Sequence, residues 1–155
     1  MEGGCACGRV RYRLLRIPMI IHCCHCSWCQ RETGSAFVIN AVTESDQLQI
    51  TDEAPDYSLA PSASGKGQEI ARCPICHIAL WSHYSGAGRR AAFVRVGTMD
   101  SPNTFPPEVH IFTSSKQSWV ALPKDVPAFA EFYPSSEGLW SKAARMRWKA
   151  LISSA

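Results

Sequence analysis

The chemistry on offer is that of sulfur. Eight cysteines in a chain of 155 residues fall into three groups, Cys5-x-Cys7, Cys23-Cys24-x-Cys26-x-x-Cys29 and Cys73-x-x-Cys76. Thiolates one or two residues apart are placed to grip a soft divalent metal, and the two outer pairs together supply the four thiolates of a closed tetrahedral zinc site. Alternate residues of a strand share a face, so Cys5 and Cys7 are expected to converge. Cys73-Pro74-Ile75-Cys76 has the form of a zinc knuckle, a tight turn that aims two sulfurs and nearby N–H groups at the metal. His77 follows where such a turn favours glycine, and it must accept a left-handed backbone there. The 65 residues between Cys7 and Cys73 make this site a cross-link between distant segments. Its metal-binding free energy is then folding free energy.

The middle group differs in kind. Carrying strand parity from Met19 to Cys26 puts Met19, Ile21 and Cys23 on one face and Cys24 and Cys26 on the other. Cys23 reads as a buried small hydrophobe. Cys24, Cys26 and Cys29 remain as three converging thiolates, and three protein ligands leave a fourth position for water or substrate, the pattern of a reactive zinc. The alternative is that His22 or His25 closes the site and makes it a second structural zinc, although parity turns His25 away. Neither ferredoxin spacing is present, and the C-x-C and C-x-x-C groupings favour metal over disulfides. Trp28, between two proposed ligands, either lines a substrate pocket or shields the metal. His83 and His110 lie in strand-like apolar settings and read as hydrogen-bonded core or surface histidines.

The elements that must position these groups are mostly β. With 46% hydrophobic and 19% charged residues, the chain has the makings of a single cored domain. Val10, Tyr12 and Leu14 alternate with Arg9, Arg11 and Arg13, a half-buried strand with arginines outward. Further strands are expected over residues 36–42, 91–96 and 108–113, with loops at 53–68 and 101–107. The expected fold class is mainly β, with a short helix in residues 138–155. That helix carries Lys142, Arg145 and Lys149 on one stripe and Trp140, Ala144, Trp148, Leu151 and Ile152 on an apolar face, which is expected to dock on the body.

Charge and leader signals narrow the class. The net charge is +3, yet all 13 acids precede residue 139 while Lys142, Arg145, Arg147 and Lys149 follow it. A near-neutral body argues against a nucleic-acid-binding face. The N-terminus has no basic segment followed by an apolar one, and residues 17–21 fall far short of the roughly 20 apolar residues of a membrane span. A cytoplasmic protein that binds neither membrane nor nucleic acid is expected.

Several linked motifs resemble one family. The opening Gly4-Cys5-Ala6-Cys7-Gly8-Arg9-Val10-Arg11-Tyr12, the block from Cys24-His25-Cys26-Ser27-Trp28-Cys29-Gln30-Arg31 to Gly34-Ser35-Ala36-Phe37, the knuckle, and His110-Ile111-Phe112-Thr113-Ser114-Ser115-Lys116 with Trp119 and Pro127 resemble the glutathione-dependent formaldehyde-activating enzyme and centromere protein V family. The resemblance covers roughly Gly4 to Pro134, which implies a zinc-binding domain over residues 1–134 with 135–155 as a basic helical extension. It implies several small coiled antiparallel β-sheets built around zinc. Cys5, Cys7, Cys73 and Cys76 would hold a structural ion, and Cys24, Cys26 and Cys29 a labile or catalytic one. It also implies a carbon–sulfur lyase that joins a glutathione-type thiol to formaldehyde, or, as in the centromere-associated relatives, a non-enzymatic zinc-stabilised binding module. Gln30 stands where the family commonly has Arg or Lys. Arg31 then becomes the substrate-binding cation or the offset for thiolate charge, and Trp28 the pocket residue beside it.

Overall fold

The computed structural model describes residues 1–153. Ten strands, β1 (Glu2–Gly4), β2 (Arg11–Leu14), β3 (Ile20–Cys24), β4 (Val38–Glu44), β5 (Leu48–Ile50), β6 (Asp56–Ala60), β7 (Gln68–Arg72), β8 (Ala79–Tyr84), β9 (Ala91–Arg95) and β10 (Val109–Ile111), accompany helices α1 (Ser27–Thr33) and α2 (Lys142–Ser153). The class is mainly β with a C-terminal helix, as expected. The strands gather into two sheets: a small one in the order β1-β2-β5, and a seven-stranded one in the order β10-β3-β4-β9-β8-β7-β6. All pairings are antiparallel except β10 on β3.

Binary patterning explains the small sheet. Val10, Tyr12 and Leu14 are buried, while Arg11 pairs with Asp100 and Arg13 with Glu2 at the surface. Tyr12 packs edge-on against Trp81 of the large sheet at 5.8 Å, so the arginine-outward strand locks one sheet to the other. Gly4 is required at this junction, since a Cβ there would lie 2.5 Å from the Val10 carbonyl oxygen.

Two elements depart from the sequence expectations. Residues 53–68, read as a loop, contain β6, which pairs with β7 along its whole length. Its pattern was hidden because four of its five residues are exposed, as an edge strand permits. Strand β3 ends at Cys24, and the chain turns into α1, for which Cys26 is the N-cap.

Two apolar clusters fill the interior. One lies between the sheets around Tyr12, Leu80 and Trp81. The other joins Ile20, Val42, Val109 and Ile111 of the large sheet to Tyr133, Trp140 and Ala144. Helix α2 therefore docks through its apolar face, with Trp148 and Leu151 packed alongside. Arg147 grips Glu44 with two hydrogen bonds and donates a third to the Ile17 carbonyl at 2.9 Å. Burial alone would raise the Glu44 carboxyl, but the Arg147 guanidinium, the Glu44 backbone N–H and Arg16 together outweigh it and hold the group below the usual carboxylate range. No helix among the described residues is long and apolar enough to cross a membrane.

Candidate metal centres

Cys5, Cys7, Cys73 and Cys76 converge as expected, with all four sulfurs within 4.8 Å of one another. Cys5 and Cys7 lie 3.4 Å apart and Cys7 and Cys73 3.5 Å apart, near the roughly 3.8 Å that separates two sulfurs on one tetrahedral zinc. The route to convergence differs from strand parity. Strand β1 stops at Gly4, and residues 5–8 form a turn closed by the Gly8 N–H on the Cys5 carbonyl at 3.2 Å, with Gly8 left-handed at φ 79°. The facing knuckle has the same logic, with His77 at φ 59° and its N–H on the Cys73 carbonyl at 3.0 Å.

In both turns backbone N–H groups point at sulfur. Val10 donates to Cys5 at 3.3 Å, and Ile75 and Cys76 donate to Cys73 at 3.4 and 3.5 Å. Such bonds favour the thiolate, so four thiolates in a pre-aimed tetrahedron fit Zn²⁺. Arg72, just before the knuckle, reaches the His77 carbonyl at 3.3 Å and pairs with Glu32 on α1. It thereby ties this centre to the helix of the other.

Cys24, Cys26 and Cys29 form a second group, again within 4.8 Å, and all three are buried. Cys26 caps α1 with its own sulfur, which accepts from the Cys29 N–H at 3.3 Å. Hydrogen bonding from Cys24 and then from Cys29 pulls the Cys26 thiol down to about 3, and the same contacts push Cys24 up. The turn is fixed from behind: Gln30 donates to the His25 and Ser115 carbonyls at 2.6 and 2.8 Å, and Ser115 donates to the His25 carbonyl at 3.1 Å. Gln30 thus serves as a brace rather than a substrate contact.

No histidine completes this group among the described residues. His22 shares the face but bonds through Nε2 to the Tyr133 hydroxyl at 2.9 Å, and burial pushes it down to about 4. Trp140 Nε1–H donates to the same Tyr133 hydroxyl at 2.8 Å. His25 points the other way, to His110 Nδ1 at 2.9 Å and Cys23 at 3.6 Å. Cys23, His25 and His110 thus form a third buried group whose donor atoms lie within 4.8 Å of one another, with the two imidazoles at hydrogen-bond distance. Cys23 is buried as expected, against this pair. His83 is likewise buried and bonded to the Ala91 carbonyl at 2.8 Å.

The three sulfurs face a cavity of about 310 Å³. Trp28 borders it, half exposed at 39%. Arg31 lies on the exposed side of α1 and is not among the lining residues. The cation that sequence reasoning missed is Arg95, which does not line the cavity either but lies buried on β9 beside the lining residue Asn40. His22, Asn40 and Arg95 lie directly opposite one another across β3, β4 and β9, hence on one face. Arg95 is 4% exposed, and among the described residues its guanidinium donates to Asn40 Oδ1 and Ser82 Oγ, each at 3.0 Å, with Nε finding no partner. Its charge acts to lower the Cys29 thiol against the larger effects around it. A lone arginine in the apolar run Ala91-Ala92-Phe93-Val94-Arg95-Val96 was the available signal. Phe112, at the cavity wall, is left-handed at φ 56°, strain of the kind that collects at functional sites.

Comparison with known proteins agrees. A crystal structure of a Rhodobacter sphaeroides protein matches with a TM-score of 0.50 and 20% identity, covering 83% of this chain and 100% of that one; it shares the fold. A Halomonas elongata protein that carries the provisional name glutathione-dependent formaldehyde-activating enzyme is 28% identical over 127 residues, 79% of this chain and 80% of its own. The family model described as glutathione-dependent formaldehyde-activating enzyme matches residues 1–115, which takes in both cysteine centres. The chain belongs to the glutathione-dependent formaldehyde-activating enzyme family.

Proposed function

We propose that this chain is a zinc-dependent enzyme that joins a thiol to an aldehyde and, in reverse, acts as a carbon–sulfur lyase. The candidate reaction, taken from the family's name, is formation of S-(hydroxymethyl)glutathione from glutathione and formaldehyde. The observation that carries this reading is a buried trio of sulfurs facing a cavity with no fourth protein donor among the described residues. Zinc, when bound there, supplies an open position that keeps a thiol in its thiolate form.

Cys24, Cys26 and Cys29 would hold the ion, and Cys5, Cys7, Cys73 and Cys76 a structural one. Arg95 takes the charge-balancing role expected of Arg31, because three thiolates on a divalent ion leave a net negative charge that a buried guanidinium offsets. Trp28 and Phe112 exclude water from the reacting sulfur. The sulfur's electron pair forms the C–S bond, the carbonyl π pair moves to oxygen, and oxygen ends with the proton the thiol gave up. RSH and HCHO thus give RSCH₂OH. A cytoplasmic setting suits this chemistry by keeping the cysteines reduced. Of the basic tail, Arg147 and Arg145 face Glu44 and Glu137 of the same chain, which leaves Lys142 and Lys149 exposed as the contact surface of a binding-module reading.

The test follows adduct formation by NMR with protein, thiol and formaldehyde. Acceleration over the background reaction, lost in Cys26→Ser with the fold retained, is the expected result. No acceleration contradicts the enzyme reading.

A further inference from the structure

The walls of the cavity speak to substrate class. Trp28, Tyr84, Phe93, Phe112, Phe132 and Trp148 border it, no Asp or Glu does, and Lys66 is the one Lys or Arg among its lining residues. The Lys66 side chain lies exposed at the rim, with no ion pair among the described residues. Phe132 and Trp148 come from beyond residue 115, where the match to the family model stops. Trp148 is held edge-on against Trp140 at 5.6 Å, and α2 is pinned by Arg147 on Glu44. This part of the wall is supplied by the chain's own C-terminal segment.

Glutathione brings two carboxylates, an ammonium group and two amides. The cavity's other polar side chains, His22, Asn40, Ser62, Ser64, Gln68 and Ser85, are uncharged hydrogen-bonding groups, so with one cation and no acid at most one of the two carboxylates meets a cation and the ammonium meets no counter-charge. A ligand with an aryl or alkyl body loses no such hydration and gains from aromatic burial. We propose that the thiol this chain handles is compact and largely apolar, with at most one anionic group, which Lys66 receives. The inference rests on the thiol–aldehyde reading for its chemistry, and its test is one of binding.

The zinc-loaded full chain is titrated with phenylmethanethiol, 3-mercaptopropionate and glutathione, following tryptophan fluorescence and ligand NMR signals. Direct sulfur–metal binding is common to all three, so differences report on the walls. Phenylmethanethiol is expected to bind at least about tenfold more tightly than glutathione. Trp148→Ala, with Phe132→Leu as a second variant, should erode that preference by about tenfold while leaving glutathione unchanged. Lys66→Gln should weaken 3-mercaptopropionate by a few-fold and spare the neutral thiol. Equal or tighter binding of glutathione, or a preference indifferent to both aromatic variants, overturns the proposal. If the apolar thiol is preferred yet no thiol forms an adduct, the selectivity stands and the reading of the reaction fails.

Discussion

The two cysteine centres share their ligand chemistry and differ in almost everything around it. The four-cysteine group is the more exposed, with Cys7 at the surface and Cys76 half-buried, while all three sulfurs of the other group are buried. Exposure alone would name the four-cysteine group as the reactive one, against the proposed function. What separates them is closure: two facing turns offer four sulfurs and fill a tetrahedron, whereas one turn at the end of β3 offers three and faces a cavity. Their neighbours differ as well. The first centre is ringed by backbone N–H donors that cost no side chain, and the second has a buried arginine and an aromatic enclosure. Under the proposed function, one centre works on the folding equilibrium and the other on whatever enters the cavity.

The sharpest break of that comparison is to remove one ligand from each. Cys76→Ser should leave no cooperative thermal transition, because structural zinc contributes on the order of 10 kcal/mol to folding. Cys26→Ser should keep the transition within a few degrees while adduct formation falls to background. If both variants unfold, or both fold and stay active, the centres are not divided in this way.

Next in size is Arg95→Met. Removing the buried cation should weaken the ion at the three-cysteine centre by about 10–100-fold, the scale seen for residues that support metal ligands. The four-cysteine centre should retain its ion. Competition with a chromophoric chelator measures both, and equal weakening would make Arg95 a purely structural residue.

The smallest effect concerns the docking of α2. Glu44 is held below its usual range, so its contribution is present above about pH 4.3 and is lost as pH falls toward its folded value. Glu44→Gln should cost about 1–3 kcal/mol and flatten that acid limb of stability, read from chemical denaturation between pH 3 and 7. An unchanged acid limb would move the pH dependence to another group.

The cysteine division was legible in the sequence because ligand count and spacing are local properties, and the left-handed His77 followed from the knuckle alone. Strand parity gave the right faces for Cys23, Cys24 and Cys26 through the wrong element, since Cys26 already caps α1. Convergence of Cys5 and Cys7 likewise came from a turn and not a strand. Arg95 and the cavity walls were not legible for a different reason. His22, Asn40 and Arg95 become neighbours only through the register of three strands, Phe132 reaches the site from a segment hydrogen-bonded alongside β10, and Trp148 only after α2 has docked.

Metal content per chain, measured before and after a mild chelator with activity followed in parallel, tests the central claim most directly. The account predicts about two zinc ions, one removed together with activity and restored on adding zinc, the other retained with the fold. Loss of both ions together, or activity that survives removal of the labile one, would contradict it.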